Sequence, residues 1–213
     1  MRKLTLTHPD FQDLTDQKAA KVLEILEATQ FLLIEEGYAG LSMRKVAARC
    51  NMTVGNLTYY FSTKQDLVHV LLDVALEGYN DHIREIMSDS SLSGEEQLAR
   101  AFEYLMQDLM TRETTRFFPE LWAMSNHDPV VNREVQDLYI REQEIIEGLV
   151  KKVRPDLATE DLKKLSLYIS AAIEGHTIFI GHDKSWNDKS REIIDLAVNN
   201  FLDMVRNYGR DRA

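Results

Sequence analysis

The sequence predicts an all-α protein of about nine helices, with a helix-turn-helix near the N-terminus and a larger helical region after it. Three observations carry this. Apolar residues recur at three- and four-residue steps along most of the chain, and no strand-like alternation, internal repeat or glycine-rich run interrupts them. Only four prolines and nine glycines occur in 213 residues, which leaves room for long helices. Capping residues stand just ahead of the apolar runs.

Residues 1–15 show no sustained period and read as a flexible arm. From Asp16 to Glu36, Val22, Ile25, Leu26, Thr29, Leu32 and Leu33 mark one helical face, and Gly37 is placed to end it as a left-handed C-cap. Ser42 can cap a short helix whose inner face is Val46, Ala47 and Cys50. Asn51-Met52 breaks that helix, and Thr53 can cap another running to about Tyr60. Ser62 and Gln65 have the spacing of a capping box, opening a helix to about Met87. A polar loop follows at 88–94, and Ser93 with Glu96 has the same spacing at the head of a helix to about Arg112. Pro119 would start or kink the next helix. Asp128-Pro129 reads as a cap plus a first-position proline, opening a long helix closed before Pro155. Thr159 starts another, with Leu162, Leu165, Ile169, Ile173 and His176 on one stripe, and the last helix runs from Arg191 to about Tyr208.

Composition bounds the function. The net charge is −10, yet residues 1–70 hold eight basic and eight acidic side chains, so the excess of 27 acids over 17 bases lies entirely in 71–213. No acid occurs between Glu36 and Asp66, while Arg44, Lys45, Arg49 and Lys64 do. A locally basic head on an acidic body confines phosphate attraction to one place. No apolar run approaches the ~20 residues of a bilayer span, and the first residues lack the apolar core of a secretory signal. The lone Cys50 cannot form an intramolecular disulfide, so a cytoplasmic location is expected. It most simply fills a corner between helices. The six histidines show no metal-ligand spacing, and no nucleophile triad or phosphate loop stands out; no metal, cofactor or enzymatic activity is expected.

Residues Ile25 to Leu67 resemble the DNA-binding domain of the tetracycline-repressor (TetR) family. The resemblance rests on the helix ending Glu35-Glu36-Gly37-Tyr38, the start Ser42-Met43-Arg44-Lys45-Val46-Ala47, and the turn and recognition helix from Met52 to Leu57. Tyr59-Tyr60-Phe61 with Lys64 and Leu67 closes it. A recognition helix must present its first turns to base edges while its back packs on the preceding helix. Leu57, Phe61, Val46 and Ala47 supply that back, leaving Thr53, Val54, Asn56 and Tyr59 outward. The carboxamide of Asn56 suits an adenine edge. The resemblance adds Arg44 at a base or the backbone, and Ser42, Thr53, Tyr60 and Lys64 at phosphates; Gly55 would permit close approach. Thr58 stands where the family often has tyrosine, and it reaches less far.

For the second half the resemblance implies an effector site and a homodimer. Phe102, Met106, Phe117, Phe118, Leu121, Trp122 and Met124 supply aromatic and methionine surface for a small hydrophobic ligand, with His127 and His176 as polar contacts. A plain core uses the same residue types. Ala171, Ala172 and Gly175 thin one helix face, and Phe179, Ala197 and Phe201 add apolar surface, so the last two long helices are expected to pair two subunits; the alternative is that they only cover their own core.

The expected organisation is an arm at 1–15, a helix-turn-helix DNA-binding domain at 16–66 and a ligand-binding and dimerisation domain at 67–213. The expected function is a ligand-released homodimeric repressor on double-stranded DNA, at a pseudo-palindromic operator. An activator on the same fold and a helical adaptor with a degenerate helix-turn-helix are the alternatives.

Overall fold

The computed structural model describes Leu4, Leu6, Phe11 and residues 14–210, with side chains 76–82 left aside. Most of the arm expected at 1–15 lies outside the described residues. Among those described, the backbone forms nine α-helices and no strand. They are α1 Asp16–Gly40, α2 Met43–Arg49, α3 Val54–Tyr60, α4 Lys64–Ser88, α5 Gly94–Asp108, α6 Arg112–Ser125, α7 Pro129–Val153, α8 Thr159–Ile180 and α9 Ser190–Asn207. One turn of 3-10 helix, Asn187–Lys189, precedes α9. None of the helices is long and apolar enough to cross a membrane.

Two compact units account for the chain: an N-terminal unit of Arg2–Asn80 with Arg116–Asp137, and a C-terminal unit of Asp81–Thr115 with Leu138–Ala213. The expected boundary at 66/67 falls in the first turn of α4, and α4, α6 and α7 each carry residues of both units.

In the N-terminal unit, α1 buries Val22, Ile25, Leu26, Leu32 and Leu33 on one stripe. Thr29 lies in that stripe because its hydroxyl donates to the Ile25 carbonyl at 2.7 Å, which satisfies it without water. Gly37 breaks the helix differently from the left-handed cap expected. Its φ of 68° comes with ψ of 175°, a basin essentially reserved for glycine, and one further turn follows before Leu41 donates back to the Gly37 carbonyl at 3.2 Å. The corner is held from α6: Glu120 Oε2 accepts from the Tyr38 N–H at 2.9 Å, and a Cβ on Gly37 would stand 3.0 Å from that carboxylate.

The start of α4 also departs from expectation. Thr63 and Asp66, one residue beyond Ser62 and Gln65, make the reciprocal cap: Thr63 Oγ1 accepts from Asp66 N–H at 3.0 Å, and Asp66 Oδ2 accepts from Thr63 N–H at 3.1 Å. A carboxylate does this better than an amide, since its charge also favours the helix N-terminus. At α7 the expected device is present, with Asp128 Oδ1 accepting from Val130 and Val131 N–H at 2.9 and 3.3 Å and Pro129 at the first position.

The C-terminal unit is built on α5, α8 and α9, which pack together around Leu98, Phe102, Leu165, Ile169, Ile173, Val198 and Phe201. Ser93 and Glu96 form the capping box read in the sequence. α5 ends at Asp108 rather than near Arg112, because the Thr111 hydroxyl accepts from Thr114 N–H at 3.2 Å and opens α6 there. Pro119 therefore lies inside α6 and starts nothing. α8 begins at Thr159, but its cap position is Ala158, which offers no side-chain acceptor. Arg154 is the buried polar anchor of this unit. Its guanidinium pairs with both Asp156 oxygens at 2.8 Å and donates to the Val205, Arg206 and Tyr208 carbonyls, closing the C-terminal end of α9.

Candidate nucleic-acid interface

The corner between α2 and α3 follows from three local devices. Ser42 Oγ accepts from Lys45 N–H at 3.4 Å and Thr53 Oγ1 from Asn56 N–H at 3.1 Å, so each short helix has its cap. Between them Asn51 adopts φ 51°, Asn51 N–H reaches the Ala48 carbonyl at 3.2 Å, and Met52 N–H reaches the Ala47 carbonyl at 2.9 Å. That paired closure is the usual way to stop a helix with a left-handed residue, asparagine standing in for glycine. Leu57, Val46, Ala47, Cys50 and Phe61 are buried beneath the corner, as the sequence implies. Burial also pushes the Cys50 thiol up, which suits a packed cysteine rather than a reactive one.

This packing leaves Thr53, Val54, Gly55, Asn56, Thr58 and Tyr59 exposed on one short helix, Tyr59 to 75%. A Cβ on Gly55 would meet only the Thr53 Oγ1, at 3.9 Å. Nothing among the described residues needs a glycine there. Thr58 turns its hydroxyl back to the Gly55 carbonyl at 2.9 Å, which engages its single hydrogen. Tyr60 is half-buried, edge-on to Tyr59 at 5.2 Å. Beside α3, an open depression of about 400 Å³ is lined by Lys21, Cys50, Asn51, Met52, Asn56, Tyr59 and Tyr60.

The four cations of the acid-free window separate into two kinds. Lys45 pairs with Glu36 and donates to the Gly40 carbonyl, Arg49 lies 3.5 Å over the Phe31 ring, and Lys64 donates to the Tyr38 carbonyl at 2.6 Å with its ammonium 3.7 Å over the Tyr38 ring. Burial pulls the Lys64 pKa down. Arg44 stands exposed with no partner among the described residues. Sequence reading missed two cations on α1: Lys18, 5.6 Å from the Tyr59 ring, and Lys21, whose pKa its hydrogen bond to Glu24 raises. Both precede α3 by more than thirty residues, so no local spacing signalled either.

The other expected site residues are distributed as follows. Phe117, Phe118, Leu121 and Met124 are buried in the N-terminal unit and Trp122 is half-buried, whereas His127 is exposed in the turn before α7. Phe102 and Met106 are fully buried in the C-terminal unit, with Phe102 edge-on to Phe201 at 5.4 Å. His176 points its Nδ1 at the Ala172 carbonyl. Ala197 and Phe201 face their own core, and Ala172 packs against it. Ala171 and Phe179 are exposed and Gly175 is half-exposed. Among the described residues no group of three acidic, histidine or cysteine side chains could hold a metal ion.

A capped pair of short helices with one polar, outward-facing surface and a helical body behind defines a helix-turn-helix DNA-binding protein. Residues 25–71 match the family described as bacterial regulatory proteins, tetR family. An HTH-type transcriptional regulator from the dhlA 5′ region of Xanthobacter autotrophicus is 28% identical over 164 residues, covering 75% of this chain and 79% of the relative. A TetR-family regulator from Mesorhizobium loti has a similar fold, with a TM-score of 0.73 at 18% identity over 89% of this chain and 98% of the other. A regulator from Saccharomonospora viridis, solved in complex with choline, gives 0.69 at 19% identity over 89% and 97%. Residues 25–71 thus carry the helix-turn-helix segment of that family, and the chain as a whole is similar to transcriptional regulators in sequence and in fold.

Proposed function

We propose that the chain is a homodimeric repressor that reads a pseudo-palindromic operator with α3 and leaves it when the C-terminal unit binds an effector. The observation that carries the DNA half of this reading is Gly55. It lies in the exposed first turn of α3, with open space around the missing side chain and no backbone need for glycine. Close approach of another molecule is the reason left. Asn56, next to it, is assigned to a base edge, Arg44 to a base or the backbone, and the hydroxyls of Ser42, Thr53 and Tyr60 to phosphates. Val54 and Tyr59 complete the outward surface, and the Lys64 ammonium adds positive charge at the start of α4.

Pairing is assigned to the outer face of α8, where Leu167, Tyr168, Ile178 and Phe179 are 54–64% exposed, joined by Leu196 of α9 at 59%. Five large apolar side chains on two adjacent helices is more than scattered exposure. Ala171 and Gly175 sit between them and allow close approach. The choline held by one structural neighbour supports an effector role for the body of the fold.

Selection of duplexes from a random pool, followed by gel shift with competitor DNA, tests the reading. Gly55→Ala is expected to keep or raise thermal stability, since alanine favours a helix by up to about 1 kcal/mol. It should nevertheless lose operator affinity. A variant that binds as well as the parent removes the argument from Gly55, and failure to select any duplex removes DNA reading altogether.

A further inference from the structure

The C-terminal unit holds two carboxylic acids that the packing does not require, Glu142 buried and Glu174 half-buried with one oxygen turned inward. Glu142 sits on the inward stripe of α7, four residues after Leu138 and four before Ile146, where an apolar side chain belongs. It is buried, and Ser170 Oγ donates to its Oε1 at 2.6 Å. Ser170, Glu174 and Thr177 follow one another at the four- and three-residue steps that line up on one face of α8. Glu174 Oε2 is shielded from solvent without a hydrogen-bond partner, and so is the hydroxyl of Thr177, a residue only 1% exposed. Acceptors and a hydroxyl left unmatched in a buried cluster mark a place where donors are missing.

The surroundings sharpen the charge of those missing donors. Glu174 feels Glu142 and, from α5, Asp108, both negative; the phenol of Tyr139 on α7 donates to it. Asp108 in turn accepts from the Thr114 hydroxyl at 2.7 Å. Among the described residues no cationic side chain pairs with either glutamate. We propose that Glu142, Glu174, Ser170 and Thr177 are the recognition end of a small-molecule site that takes a protonated amine, its N–H groups filling the unmatched acceptors. This names the effector's class and rests on reading the C-terminal unit as effector-binding.

Without an amine, the cluster holds a proton where the ligand's charge would go. Burial, helped by Glu142, pushes the Glu174 pKa up to about 8, and burial raises Glu142 as well. Amine binding then releases that proton: the ammonium and the carboxylic acid become an ammonium–carboxylate pair plus H⁺. Below a pH of about 8 the affinity rises with pH, by up to tenfold per unit for one proton, and it levels off above.

The test is thermal denaturation of the full chain with butylammonium, putrescine or benzylammonium chloride, against matched potassium chloride, on both sides of the Glu174 pKa. A saturable rise in Tm with at least one amine is expected, larger on the alkaline side and lost in Glu174→Gln, a neutral isostere of the protonated acid that should therefore fold. Thr177→Val, which leaves both carboxyls in place, should weaken the response. No rise with any amine, an equal rise in Glu174→Gln, or an equal rise with tetramethylammonium, which has no N–H, overturns the proposal. Gel shifts on a selected operator separate the two readings: selection without amine response removes this site alone, and no selection removes the repressor.

Discussion

Gly55, Asn56 and Lys64 share one short stretch of chain but answer to different constraints. Asn56 gives its backbone N–H to Thr53 and keeps an exposed side chain, so Asn56→Ala should leave stability alone while lowering discrimination among operator variants, read as the ratio of affinities for selected and mutated duplexes. Equal weakening on every duplex would mean that Asn56 touches only the backbone. Lys64 is different, since its ammonium is already bonded to Tyr38. Lys64→Ala should lower Tm and weaken all duplexes alike, and a salt dependence flatter by about one unit would mark a phosphate contact. An unchanged slope assigns the side chain to Tyr38 alone. Charge counting could not separate these roles, because a lysine bonded within the chain and one facing solvent look the same in a sequence.

At the scale of single elements, most helix positions were legible because caps and apolar period agree on them. Ser42, Thr53, Ser93 and Asp128 all cap where their spacing implies. The errors came where two adjacent residues could serve. At α4, Ser62 with Gln65 and Thr63 with Asp66 both have the spacing, and the charged acceptor was chosen. Thr63→Ala should therefore cost about 1 kcal/mol of stability in denaturant unfolding, and Ser62→Ala close to nothing. A loss at Ser62 instead would contradict the observed cap. Arg154 was not legible at all, since its carbonyl partners lie more than fifty residues away. Glu142 does leave a signal in the sequence, an acid among Val131, Val135, Leu138 and Ile146 on the inward stripe of α7. The expected pocket aromatics Phe102 and Phe117 were legible as buried, the first in the C-terminal unit and the second in the N-terminal one.

For the whole molecule, the buried acids set a pH dependence. An acid whose pKa rises from 4.5 unfolded to about 8 folded holds its proton more tightly in the native state. Native stability therefore falls as pH climbs from about 4.5 to about 8, is flat below that window, and carries a constant penalty above it. Asp156 acts in the opposite sense in a separate range. Its hydrogen bond to Arg154 holds it at about 2, so its contribution is present above 3.8 and is lost as pH falls towards 2. Urea midpoints across neutral pH should decline with rising pH in the parent and decline less in Glu174→Gln; identical slopes would place the titration elsewhere. The pairing face makes a second prediction at this scale. Ile178→Glu with Phe179→Glu should convert a dimer to a folded monomer in sedimentation velocity, with operator affinity lost alongside.

The hold of Glu120 on Tyr38 has a consequence for how the chain is made. The unit that carries α2 and α3 draws on residues 116–137, so emerging from the ribosome as far as the end of α4 is not enough to complete it. Synthesis must run on past α6 before the Gly37 corner acquires its clamp. A gene fragment stopped after residue 80 would for the same reason yield a weakened reader of DNA, and a transplanted head would need α6 carried with it.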